Sequence, residues 1–121
     1  MKENEITVLK VEPGKVPETV TIPNTLDAMQ RVVGGFLEII QLNDVCLVCN
    51  EEGKLMGLEG NRRVGNDIIA GTFLLAGDTS TGDLCSLTQE QLDRFQKLFA
   101  QPESFQPGEV EDALRVEFYS M

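Results

Sequence analysis

Between residues 46 and 78 the sequence reads CLVCNEEGKLMGLEGNRRVGNDIIAGTFLLAGD, a polar stretch punctuated by glycine and flanked by two of the most apolar runs in the chain. Seven of the 11 glycines (Gly53, Gly57, Gly60, Gly65, Gly71, Gly77 and Gly82) lie in it or just after it. Apolar runs of strand length need burial, so the segment joining them must turn over the surface and come back. Glycine suits such a path because it accepts positive φ and lets backbones approach closely. In a small domain this is the segment that would keep a site.

The flanking sequence carries the signals of a sheet with few helices. Ile6 to Val11 and Thr19 to Ile22 read as strands, and Pro13-Gly14 between them is the pairing that a type II turn requires, so a hairpin is expected. Asn24 can cap a helix that runs to Gly34, with Leu26, Met29 and Val33 on one apolar face. Phe36 to Leu42 and Val45 to Asn50 are joined by the two-residue step Asn43-Asp44, the sign of a second hairpin. Next comes a reversal at Glu51-Glu52-Gly53-Lys54, with glycine expected in the left-handed conformation and Lys54 to Leu58 as a short returning strand. Asn61 to Asn66 reads as loop, and Asp67 to Gly71 fits either one helical turn or an extended run. Thr72 to Ala76 reads as a buried strand, Gly77 to Gly82 as a turn cluster and Leu84 to Leu87 as a last short strand. Thr88-Gln89-Glu90-Gln91 has the form of a capping box, and Leu92, Phe95, Leu98 and Phe99 then supply a helical stripe until Pro102.

The expectation is a single α+β domain over residues 1–101, mostly antiparallel sheet in the order ββαββ…β and then a C-terminal helix, with two packed helices. Residues 102–121 read as an extension: two prolines among acids, then ALRVEFY, in which Leu114, Val116 and Phe118 alternate. Such a run suits an edge strand, an unpacked extension or an oligomer contact, for instance in a homodimer.

Composition removes several classes of chemistry. With 20 acids against 10 bases and a net charge of -10, the chain is a poor direct ligand for nucleic acid phosphates or anionic lipid. The acids are scattered, as on a solvated surface; the sharper alternative is an acidic surface that imitates DNA or docks on a basic partner. Cys46, Cys49 and Cys85 make an odd count, which argues against a disulfide framework. Cys46 and Cys49 form a C-x2-C, the spacing of half a zinc site, yet in a strand residues three apart face opposite ways, and there are no histidines to complete a ligand set. The lack of histidine also removes Ser-His and Cys-His nucleophile arrangements. No metal and no cofactor is expected. No apolar run approaches the ~20 residues that cross a bilayer and the N-terminus lacks the apolar centre of a signal peptide, so a cytoplasmic protein with no membrane partner is expected.

Neither nucleotide motif is complete. Gly77 to Gly82 has glycines and hydroxyls but no lysine and no following helix, while Gly34-Gly35 follows a helix instead of preceding one. The paired acids Glu51-Glu52, Asp67 and Asp78 lack the regular oxygen spacing of a calcium loop. What stands out is a polar set in the glycine-rich segment: Asn50, Glu51, Lys54, Asn61, Arg62 and Asp67, with Arg63 adjoining. Three bases grouped in an acidic chain can hold a carboxylate or phosphate through a forked guanidinium, with Arg62 the leading anchor. The same arginines can instead pair with Glu51, Glu52 or Glu59. The expected role is a noncatalytic module that binds a protein or a small anionic ligand through the Asn50 to Asp67 loop; a DNA mimic is the alternative, and an enzyme working through carboxylates or Lys54 comes third.

The blocks VEPGK, VGGFLEII, CLVCNEEGKLMGL, NR, DIIAGTFLLAGD and SLTQEQLDRF resemble those of an uncharacterised bacterial family, a domain of unknown function met in gut Firmicutes, phages and conjugative elements. The resemblance covers roughly residues 6 to 100, and CNEEGK and DIIAGTF are its specific parts. It implies a cytoplasmic accessory protein from a mobile element or a genome that carries one, and implies no activity. The short link between Asn61-Arg62 and Asp67 and the extension after Pro102 depart from the family pattern.

Overall fold

The computed structural model describes residues 4–79 and 81–113. Strands β1 (Glu5–Val11) and β2 (Glu18–Pro23) pair antiparallel as expected, with Ile6 opposite Ile22 and Val8 opposite Val20. Lys15 N donates to Glu12 O at 3.2 Å and Gly14 takes a φ of 75°, which gives Pro13-Gly14 its type II turn. Helix α1 (Leu26–Val33) is capped by Thr25, whose hydroxyl accepts from Ala28 N at 3.1 Å, and not by Asn24. Asn24 is buried and reaches Leu84 O at 3.2 Å, so its amide is used in tertiary contact and the next hydroxyl takes the cap. Met29 and Val33 form the buried face; Leu26, expected to share it, stays exposed in the first turn.

Strands β3 (Leu37–Leu42) and β4 (Val45–Asn50) form the second hairpin around Asn43-Asp44, with Asn43 at a φ of 56°. Residues 51 to 57 differ from expectation. Met56 N donates to Glu52 O at 2.9 Å and Leu58 N to Gly53 O at 3.0 Å, so the segment coils on itself where a strand from Lys54 was expected. The left-handed glycine there is Gly57, with a φ of 72°. Gly53 is needed for space instead: a Cβ on it would meet Ala70 O at 2.6 Å. Asn61 to Asn66, expected as loop, is largely β5 (Gly60–Val64), which turns through Gly65 into β6 (Asp67–Ala70). The Asp67 to Gly71 stretch is thereby extended up to Ala70.

Strand β7 (Phe73–Asp78) returns between β1 and β4, and β8 (Leu84–Cys85) pairs with its far end. The main sheet runs β2-β1-β7-β4-β3, antiparallel throughout. One face carries Leu9, Val11, Val45, Leu47, Phe73 and Leu75 under α2 (Gln89–Leu98), which contributes Leu92 and Phe95 and is followed by Phe99. The other carries Ile6, Val8, Val48, Leu74 and Ala76 under Met29 of α1. Burial on both faces is why β4 and β7 read as unbroken apolar runs. It also separates the C-x2-C pair: Cys49 belongs to the α2 side, and burial, with Asp78 and Cys85 nearby, pushes the Cys46 thiol up.

The capping box of α2 forms as expected between Thr88 and Gln91, whereas Leu98 points outward and leaves the stripe to Leu92, Phe95 and Phe99. Phe99 meets Phe73 edge to face at 5.4 Å. Gln91 and Arg94 also clasp the Asp44 carboxylate in the β3–β4 turn, at 3.0 Å and 2.7 Å, and so dock the helix on the sheet. Beyond α2, the short helix α3 (Glu109–Asp112) packs Val110 with Phe105 and Ala113 against Ile68 and Ala70. The run carrying Leu114, Val116 and Phe118 lies outside the described residues.

The Gln91 hydrogen bond and then Arg94 hold the Asp44 carboxyl below its ordinary range. A carboxylate lowered in the folded state contributes stability above its unfolded pKa of about 3.9 and loses it as pH falls through the folded value. Asp44→Asn should lower Tm at pH 7, and the gap to the parent should close below about pH 3.9 in thermal melts across pH.

Candidate functional site

The expected polar set separates into an interior half and a surface half. The interior half begins at an irregularity in the β5–β6 pairing: Gly60 faces Ala70 and Arg62 faces Ile69, so Asn61 is an extra residue. A bulge of this kind re-aims side chains, and here neighbours Asn61 and Arg62 are both 0% exposed. The Asn61 amide donates to Val11 O at 2.8 Å and Gly71 O at 2.9 Å, and its oxygen accepts from the Arg62 guanidinium at 2.7 Å.

Arg62 uses all five of its N–H groups within the fold. Nε and Nη2 reach Phe99 O at 3.1 Å and 2.9 Å, Nη2 also reaches Lys15 O at 2.6 Å, and Nη1 meets Asn61 O at 3.2 Å besides the Asn61 side chain. No carboxylate is among these partners. Burial pushes the Arg62 pKa down, partly offset by Glu103. The Phe99 carbonyl closes α2, where the helix dipole is negative, and gives the cation an electrostatic partner without a formal charge. With every donor committed, Arg62 ties β5 to the end of α2 and to the β1–β2 turn. Its neighbour Arg63 is half-exposed and pairs with Glu109 at 2.6 Å.

The surface half surrounds a cleft of about 220 Å³ lined by Glu38, Asn50 to Leu55, Ile69, Ala70 and Ala113. Asn50 ends β4 and is buried: its oxygen accepts from Glu52 N at 2.8 Å and its amide donates to Val33 O at 3.2 Å. It sets the path of the loop and has little surface for a ligand. Lys54 pairs with the buried Asp67 carboxylate and donates to Ala113 O at 2.7 Å. Glu51 and Glu52 are exposed on the rim. The lysine is thus neutralised from within while the glutamates face water, and the rim favours a cationic group. Among the described residues no three His, Cys, Asp or Glu side chains gather as metal ligands.

Glu38, Leu55, Met56 and Ala113 also belong to this region and were not in the expected set. Leu55 is 87% exposed and Met56 54%, and their signal was an apolar pair directly after Glu51-Glu52-Gly53-Lys54. Ala113 had no such signal, since the segment before it reads as linker. Met56 touches the site through its sulfur, 3.4 Å from the Asn50 amide.

An α+β domain with an acid-rimmed cleft beside the 51–57 turn is thus the class that fold and site define. The chain belongs to the family described as Domain of unknown function (DUF3846), whose model matches residues 6–100. No curated protein and no solved structure matches it. Among the described residues no helix is long and apolar enough to cross a membrane.

Removing the guanidinium would strand the buried carbonyls of Asn61 and Phe99, each costing about 1–3 kcal/mol, and the part-buried one of Lys15. Arg62→Ala should therefore lose about 3 kcal/mol or more in urea unfolding, and Arg62→Lys, with three donors for five positions, should recover only part of it. A loss below about 0.5 kcal/mol, ordinary for a surface site, would refute the structural role.

Proposed function

We propose that the domain is a noncatalytic interaction module that holds a basic, apolar-flanked segment of a protein partner at the cleft beside the Asn50 to Asp67 loop. The observation behind this reading is one exposed turn that carries Glu51, Glu52, Leu55 and Met56 together, while Lys54 in the same cleft is neutralised by Asp67. Burying Leu55 would contribute about 1.5–3 kcal/mol to binding, and a lysine or arginine of the partner would answer the two glutamates. The turn is held from below by the Asn50 hydrogen bonds and by the contact of Gly53 with Ala70, so docking would cost little further ordering of backbone. The three free cysteines fit a reducing compartment, in line with an accessory protein of the cytoplasm.

A synthetic peptide of alternating lysine and leucine is a suitable probe. It should bind the parent and be released by raised salt, and Glu51→Lys/Glu52→Lys should weaken it about tenfold or more, roughly 1.4 kcal/mol. Glu90→Lys/Asp93→Lys on α2 changes the net charge by the same amount and should leave binding nearly unchanged. Equal loss in both variants would overturn the cleft reading and favour an acidic DNA mimic, which draws on the overall charge of -10.

A further inference from the structure

We infer that residues 103–113 form a strap that opens from β6 while the rest of the domain stays folded, and that the partner proposed for the cleft binds by taking the place of this strap. The second half rests on that reading of the cleft; the first does not. Three side chains seat the strap: Phe105, Val110 and Ala113 pack on Ile68 and Ala70, with Leu58 beside them. These residues form a cluster of their own, apart from the two that cover the faces of the main sheet, so opening the strap leaves both of those whole. The β5–β6 hairpin beneath keeps its anchor as well, because Arg62 is bonded to Lys15, Asn61 and Phe99, all outside the strap.

Little else holds the strap down. Helix α3 is one turn of four residues, too short to persist alone, and its Gly108 cap makes no side-chain hydrogen bond. Among the described residues every backbone–backbone hydrogen bond of residues 103–113 closes within the segment itself. Its polar ties to the body use exposed or part-buried groups: Arg63 to Glu109 at 2.6 Å, Arg63 N to Glu103 at 3.2 Å, and Lys54 to Ala113 O at 2.7 Å. Exposed ion pairs of this kind contribute little to stability. The family match also ends at residue 100, before the strap begins.

Strap and cleft share a floor. Ala70 belongs to the cluster under the strap and also lines the cleft, and Ala113, at the end of the strap, forms part of the cleft wall. At about 220 Å³ the cleft is smaller than the roughly 300–1,000 Å³ of sites that enclose a drug-sized ligand, and a peptide segment needs more. With the strap away, the apolar floor runs on from Ala70 to Ile68 and Leu58. Lys54 then loses the Ala113 carbonyl, and a backbone carbonyl of the partner can take its place.

Two variants favour the open strap. A methyl group on Gly60 would meet Phe105 and Val110 first, each at 2.7 Å, so Gly60→Ala forces the seat apart. Val110→Ala removes the buried anchor, should the first variant disturb β5. Amide exchange on the full chain, followed residue by residue by NMR, measures the opening. In the parent the Asp112 and Ala113 amides should exchange at least about a hundredfold faster than that of Leu47 in β4, with little dependence on low urea. In either variant they should exchange about threefold faster still, while Leu47 stays protected and shows the fold intact. The lysine–leucine peptide then reports the competition. A closed strap lowers the apparent affinity by the open fraction, so both variants should bind the peptide about threefold or more tighter, and adding it to the parent should speed exchange at Asp112 and Ala113. Exchange of Asp112 in step with Leu47, at the urea dependence of global unfolding, would overturn the opening. A strap that opens with equal peptide affinity in parent and variants would overturn the competition and leave the cleft reading standing. No peptide binding in parent or variants would overturn that reading, and the competition with it.

Discussion

A guanidinium taken out of water must find an oxygen for each of its five N–H groups, and where no carboxylate lies against it the backbone must supply most of them. Arg62 meets that demand with carbonyls from three separate parts of the chain, the β1–β2 turn at Lys15, its own strand at Asn61, and the end of α2 at Phe99. Asn61 extends the network to Val11 and Gly71. Through these two side chains the β5–β6 hairpin, the α2 terminus, the end of β1 and the start of β7 are fixed relative to one another. Apolar packing fills the space between them, but it is non-directional, and the polar network supplies the orientation.

The cleft follows from this frame. Because β6 is anchored by its partner β5, Ala70 presents a fixed carbonyl against which only glycine can pack, and Gly53 brings the 51–57 turn down onto it. Asn50 fixes the other end of that turn on the Val33 carbonyl at the end of α1. Glu51, Glu52, Leu55 and Met56 are then held outward on a short loop whose backbone is already ordered. A polar surface set in this way is suited to recognition, and the internal pairing of Lys54 with Asp67 leaves its electrostatics to the glutamates.

Much of the fold was legible in the sequence because local rules and burial agree there. Pro13-Gly14, Asn43-Asp44 and the Thr88 to Gln91 box each specify a turn or cap by short-range chemistry, and the structure carries all three. Composition misleads where tertiary contacts override it. Asn61-Arg62 looked like loop because polar residues rarely enter a buried strand, and only the carbonyls that converge from elsewhere make it possible. The same polar character made Arg62 look like a ligand anchor, although a buried network and a binding site draw on the same residue types. Conversely, Leu55 and Met56 looked like strand because an apolar pair after a chain reversal is silent about exposure. The approach of Ala113 to Lys54 joins residues 59 apart in sequence, beyond the reach of any local signal.

The joining of hairpin, helix and turn depends most heavily on the burial of Arg62, and the exchange of its Nε proton with solvent reports on that directly. Arg31, on the open face of α1 with a side chain 82% exposed, supplies the reference within the same molecule. In NMR spectra near neutral pH the Arg62 Nε–H resonance should remain sharp and exchange at least about a hundredfold more slowly than that of Arg31, as buried hydrogen-bonded groups do. Exchange of Arg62 at the rate of Arg31 would show that the guanidinium is open to water, and would contradict the role given to it as the tie between hairpin, helix and turn.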